Sequence, residues 1–155
     1  MANNVKPIPE GYEHATPYLI IRGAGKAIEF YKKALGAVEI ARYEDDKGRV
    51  GHAEIKIGGA LIMLADEYPE MNIKSPASLG GSPVMVHLYV NDVDSTFNRA
   101  VAEGSRIFQP LQDKFYGDRA GSLIDPFGHA WSLATHIEDV SPEEMKRRME
   151  AVKPQ

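Results

Sequence analysis

The sequence predicts an α+β protein made of two βαβββ modules in tandem, followed by a C-terminal helix. Three observations carry this expectation. An order of apolar runs, strand then amphipathic helix then three strands, occurs twice along the chain. The two occurrences share a spacing, since Thr16 and Met85 stand 69 residues apart and so do Met63 and Ser132. The second occurrence closes on Asp125-Pro126-Phe127-Gly128, where Pro126 presets φ and Gly128 admits a positive φ. That is a tight turn joining the short runs 121–124 and 130–135 into a hairpin.

Taken in order, Tyr18-Leu19-Ile20-Ile21 reads as a strand after Thr16-Pro17. Ala27, Ile28, Tyr31, Ala34 and Leu35 then recur at helical spacing, with Gly36 as the stop. Residues 38–43, 50–57 and 60–65 follow as strands, separated by Asp45-Asp46-Lys47-Gly48 and Gly58-Gly59. In 50–57, Ala53, Ile55 and Ile57 alternate with His52, Glu54 and Lys56. Residues 67–83 carry Pro69, Pro76, Pro83, Gly80 and Gly81 and read as a linker. The second module opens with the strand 84–90. Its helix has Asn91 or Asp92 as cap, carries Val93, Phe97, Ala100 and Val101, and stops at Gly104. A strand starts at Ile107-Phe108, and the hairpin supplies the last two. Ser141, Pro142 and Glu144 then start a helix over 143–152 with a capping box. The expected boundaries are an arm at 1–14, modules at 15–66 and 84–137 around the linker, and a helix with tail at 138–155.

Composition excludes several function classes. Eighteen basic against 22 acidic residues give a net charge of −4 without a basic cluster, so neither nucleic acid nor an anionic membrane is an expected partner. The chain has no cysteine, which removes disulfides, thiolate metal sites and cysteine nucleophiles together. The polar first 13 residues hold no apolar signal-type core, and no run approaches a membrane span; the expected location is cytoplasmic.

The two modules, Phe30-Tyr31 and Leu35-Gly36 closing the first helix, and Asp125-Pro126-Phe127-Gly128 in the last hairpin resemble the vicinal oxygen chelate superfamily. That group holds glyoxalase I, bleomycin-resistance proteins and extradiol dioxygenases. Phe115-Tyr116-Gly117-Asp118-Arg119, with His129-Ala130-Trp131 and Ala134-Thr135-His136 beyond it, is similar to the PhnB-like branch. The resemblance runs from about Ala15 to His136. It implies a curved mixed sheet forming a cup and, by analogy, a homodimer, which would also protect sheet edges.

Metal-using members place ligands on the first and last strands of each module. Carried over by spacing, these positions fall on Thr16, Met63, Met85 and Ser132, a poor donor set for a divalent cation, so no metal or cofactor is expected. Two methionines instead suggest a soft apolar floor. A two-residue slip keeps a strand's facing and would bring in His14 and His87, with His52 and Glu54 completing a metal set. Alternation directs Tyr18, Met63, Met85, His87, Tyr89 and Ser132 into the cup, while Leu19, Ile21, Val84, Val86, Leu88 and Val90 pack on helices. Tyr116 is placed to stack on a ligand, and Arg119 either fixes an acidic group or pairs with Asp118 or Asp125. His129 is expected at the surface, and His136 to cap the strand end or meet a dimer mate. The leading function is binding of a small planar or aromatic ligand without a metal. A metal-independent enzyme with His87 as general base and Tyr18 or Tyr89 as donor stays open, as does a metal-dependent lyase or dioxygenase.

Overall fold

A computed structural model of the chain describes residues 4–152, so the first three residues of the expected arm and the last three of the tail lie outside the described residues. The elements are β1 (Tyr18–Ile21), α1 (Ala24–Leu35), β2 (Val38–Glu44), β3 (Val50–Ile57), β4 (Ala60–Asp66), a 3₁₀ turn (Pro69–Met71), α2 (Pro76–Leu79), β5 (Met85–Tyr89), α3 (Val93–Ala102), β6 (Arg106–Asp113), β7 (Asp118–Ile124), β8 (Ala130–His136) and α4 (Pro142–Ala151). The chain forms two compact units, the second starting at Gly80. Each holds one four-stranded sheet, ordered β1-β4-β3-β2 in the first and β5-β8-β7-β6 in the second. The first and last strands of each module pair in parallel and the other pairs are antiparallel.

In the first unit α1 buries Ala27, Ile28, Tyr31 and Ala34, the stripe read from the sequence. The stripe packs on one sheet face, where Leu19, Ile21, Ala53, Ile55, Ile62 and Leu64 are buried. The N-terminus of α1 has no cap of its own. Asp66, at the end of β4, instead accepts from the N–H groups of Gly23 (2.9 Å) and Ala24 (2.8 Å), and also of Val50 (2.8 Å). In the second unit Thr135 does the same work. Its hydroxyl accepts from Val93 N (2.9 Å) and donates to Val90 O (2.7 Å), while Asp92 caps Ser95 N.

The second unit packs α3 on β7 and β8. At Gly121 an added Cβ would stand 2.7 Å from Phe97 Cε2, so the Phe97 ring of α3 packs directly on the backbone of β7. Asp125 holds the hairpin turn by accepting from Phe127 N (2.9 Å), His129 N (3.0 Å) and the indole Nε1 of buried Trp131 (3.0 Å).

Four local expectations change. The expected linker contains the 3₁₀ turn, a β-bridge between Tyr68 and Ile73, and α2. Glu67 organises it, accepting from Ser78 Oγ (2.6 Å), Arg22 Nε (2.7 Å) and Ser75 N (2.9 Å); these bonds, Ser78's foremost, pull its carboxyl down to about 2. Proline and glycine content does not register such a long-range anchor. His129, expected exposed, is only 9% accessible, because the turn folds its backbone onto Asp125. Val84 precedes β5 and is exposed instead of packed. Asp118 and Arg119 belong to strand β7, not to a loop. The C-terminal helix forms with Ser141 accepting from Glu144 N, and Arg148 ties it down by donating to Glu138 Oε1 (2.6 Å) and Phe115 O (3.1 Å).

Candidate functional site

Pairing register decides what faces outward on the sheet surface opposite each helix. In the first module Tyr18 stands opposite Met63, and Met63 opposite Glu54. Two residues along, and so on the same face, Ile20 stands opposite Ala65 and His52 opposite Tyr43. Tyr18 Oη lies 2.8 Å from His52 Nδ1, and His52 Nε2 lies 3.1 Å from Glu54 Oε1. Tyr43 stacks on the His52 ring, 6.4 Å between centroids at 24°. The Tyr12 hydroxyl and then His52 hold the Glu54 carboxyl below its usual range, although the buried Tyr12 oxygen stands outside strict hydrogen-bond geometry. Burial, and then the charge of Glu54, push the Tyr18 phenol up.

Beside this row runs a cleft of about 410 Å³ walled by Tyr18, Ile20, Ala65, Tyr68, Met71 and Ile73. Asp66 also borders it, but with its oxygens committed to backbone N–H groups. Tyr68 is held by the Arg49 guanidinium, 4.1 Å from the ring centroid. Met63 lies on the same face, next to Tyr18 but outside the cleft wall. Sequence reasoning missed Tyr68, Met71 and Ile73 because they sit in a stretch read as linker. The signal available was an aromatic residue just before its first proline and two apolar residues between the first and second.

In the second module Met85, His87 and Tyr89 project from one face of β5, opposite Ala130, Ser132 and Ala134. His87 Nδ1 is 2.8 Å from Ser132 Oγ, and the His87 and Tyr89 rings meet edge to face at 4.8 Å. Tyr89 donates to Asp118 Oδ2 (2.6 Å). The other Asp118 oxygen is 2.8 Å from His136 Nδ1, and His136 Nε2 is 2.8 Å from Asp139. Burial raises the Asp118 carboxyl, but the bonds from Tyr89 and His136 outweigh it and leave it low. Those same bonds raise Tyr89, through Asp118, and His136, through Asp118 and then Asp139. A cleft of about 480 Å³ opens along Tyr89, Asn91, Thr135 and His136.

Of the candidates, the structure brings together Tyr18 with Met63, and Met85, His87 and Tyr89 with Ser132. Tyr116 stands apart, in the turn before β7, with its ring edge-on to Phe115 at 5.4 Å. Arg119 does not join them. It donates two bonds to Asp94 on α3 (both 2.8 Å) and one to Asp113 (3.0 Å), neither of them the partner named from sequence. On β7 it shares the parity of Gly121, which meets α3, so it lies on the helix side.

The hub positions also move. Met63 and Ser132 face Tyr18 and His87, each two residues beyond the expected Thr16 and Met85. Thr16 precedes β1, and His14 is exposed outside any strand. Distance from a helix-ending glycine is a poor ruler because parallel pairing with the last strand, begun by Met63 N donating to Pro17 O, sets the register. The facing pair is phenol and thioether in the first unit and imidazole and hydroxyl in the second, and neither pair suits a divalent cation. Among the described residues no three His, Cys, Asp or Glu side chains are grouped to hold a metal ion.

A duplicated βαβββ module with a helix on one sheet face and aromatic, sulfur and imidazole groups on the other defines a protein class built from paired modules of this type. The chain belongs to the glyoxalase/bleomycin resistance protein/dioxygenase superfamily, whose family model matches residues 11–133. An uncharacterised protein of Mycobacterium bovis is 41% identical over 152 residues, covering 96% of each chain. The crystal structure of TioX from Micromonospora sp. ML1 is similar at 27% identity and a TM-score of 0.61, over 83% of this chain and all of that one. The PhnB protein of Bacillus cereus shares the fold at 22% identity and a TM-score of 0.64, over 79% and 99%. Among the described residues no helix is long and apolar enough to cross a membrane.

Proposed function

We propose that the protein binds a small planar or aromatic organic ligand, without a metal, in the cleft of the first module. The observation that carries this reading is the wall itself: two tyrosine rings, Tyr18 and Tyr68, with Ile20, Met71 and Ile73 around them. Flat apolar walls reward stacking, and the exposed thioether of Met71 adapts to ligand shape. Tyr68 is already oriented by Arg49, so ligand binding does not have to order it. The reading includes a homodimer, supported by exposed Ile107 and Phe108 on edge strand β6.

Fluorescence titration with planar tricyclic aromatics is expected to give saturable one-site binding. Tyr68→Ala is expected to weaken it by about tenfold, or ~1.4 kcal/mol. Absence of saturable binding across the panel, or an unchanged affinity in Tyr68→Ala, sinks the reading.

A second reading, a metal-independent enzyme with His87 as base, is favoured by the 2.8 Å contact between His87 and Ser132 on the open face of the second module. It predicts conversion of a bound ligand that stops in His87→Ala and persists in Met85→Leu. Recovery of the ligand intact after prolonged incubation with stoichiometric protein removes it.

A further inference from the structure

The first-module face carries a hydrogen-bonded chain that its apolar walls do not require. It runs from Glu54 through His52 to Tyr18, and Tyr18 lines the cleft. The direction of the hydrogens along it follows from donor and acceptor inventory alone. A carboxylate only accepts, and Glu54 is held ionised, so in its neutral form the His52 ring carries its hydrogen on Nε2. Nδ1 is then a lone pair, and the 2.8 Å contact needs the proton of Tyr18. Tyr18 stays a protonated phenol and has a single hydrogen, which the contact with His52 Nδ1 takes up. Contacts at both nitrogens, to Tyr18 and Glu54, hold the ring in this orientation.

What the Tyr18 hydroxyl has left to offer a ligand in the cleft is therefore oxygen lone pairs. The carboxylate of Asp66 does not change this polarity, since its oxygens already accept from Gly23, Ala24 and Val50. We infer that the ligand carries a hydrogen-bond donor, a phenolic O–H or an aromatic amine N–H, on the edge that meets Tyr18, and that His52 and Glu54 are positioning residues that set this preference. The inference rests on the cleft reading above and narrows its ligand class. An aromatic acceptor such as an ether or a ketone would face lone pairs with lone pairs, leaving its own oxygen desolvated without a partner.

Two probes of nearly equal shape test it, 2-naphthol as donor and 2-methoxynaphthalene as acceptor only. The wild-type protein is expected to bind 2-naphthol about five- to tenfold more tightly, the ratio that one hydrogen bond supplies. In Tyr18→Phe the ratio is expected to fall to near one, with affinity for the ether retained; Tyr18 is 47% exposed, so the substitution leaves the core intact. In His52→Leu the Tyr18 hydroxyl is released to donate, and the ether is expected to gain on the naphthol. A structural role for His52 alone would weaken both probes together and leave the ratio where it was. Equal wild-type affinities, or a ratio that survives Tyr18→Phe, overturn the inference while the cleft reading stands. Binding of neither probe removes both.

Discussion

Replacing Gly117 with alanine is expected to lower stability by about 3 kcal/mol or more, an effect few single substitutions reach. Gly117 has φ +98°, which already strains an L side chain. An added Cβ would also run into the carbonyl of Glu138 and stand 3.1 Å from Val140 Cγ2. The obstructing backbone cannot easily swing away. Ile137 N and Glu138 N both donate to Gly117 O, at 2.9 and 3.0 Å. Glu138 in turn receives two bonds from Arg148, so the change is expected to loosen α4 as well as the turn. Gly36→Ala is the internal comparison. It too needs a positive φ, but has nothing within 4 Å, so only the left-handed strain of ~1–2 kcal/mol applies. Thermal melts are expected to show Gly117→Ala falling by about 6–12 °C, about twice the loss of Gly36→Ala. Equal losses at the two positions rule out the steric account.

Asp118→Ala is expected to cost about 2–3 kcal/mol, since it removes two charge-assisted bonds from a carboxylate only 4% exposed. Its former partners, Tyr89 and His136, lie near enough to solvent to recover water, which keeps the loss below that of stranding a buried charge. The same cluster predicts a pH dependence with a definite sign. The Asp118 carboxyl is lower folded than unfolded, so its contribution is present above the ordinary carboxylate range and fades as pH falls through the folded value. His136 is higher folded than unfolded. Its contribution is complete below the ordinary imidazole range and fades as pH rises through the folded value. The pair is therefore at full strength from about pH 4 to about pH 6.5. The stability difference between wild type and His136→Ala is expected to be larger at pH 5.5 than at pH 9. A difference independent of pH, or larger at pH 9, excludes the ion pair as its source. Ionic strength should reduce it, because the His136 side chain is 51% exposed.

Much of the site's framework was legible in residue order. Alternation placed Tyr18, Met63, Met85, His87, Tyr89 and Ser132 away from the helices, because a strand sends neighbours to opposite faces whatever it pairs with. Assigned to a loop, where alternation says nothing, Arg119 is left by residue order between a ligand's acidic group and a contact with Asp118 or Asp125. Once β7 begins at Asp118, parity puts Arg119 under α3 and beside Asp94, 25 residues earlier in the chain. Residue order offers His52 and Glu54 as the completion of a metal set, whereas their hydrogen-bonded row depends on the Tyr18 hydroxyl, supplied by a strand 34 residues away.

By itself the sequence determined the repeated module, the stripe that α1 buries, the capped start of α4 and the turn at Asp125, all properties of residues within a few positions of one another. Only the tertiary structure decided which residue stands opposite which. Within the first unit it set Tyr18, not Thr16, opposite Met63, within the second His87, not Met85, opposite Ser132, and it made a cleft wall of Tyr68, Met71 and Ile73. Periodicity and capping are local, whereas strand register and a carboxylate's choice of donors depend on groups that only folding brings within hydrogen-bonding distance.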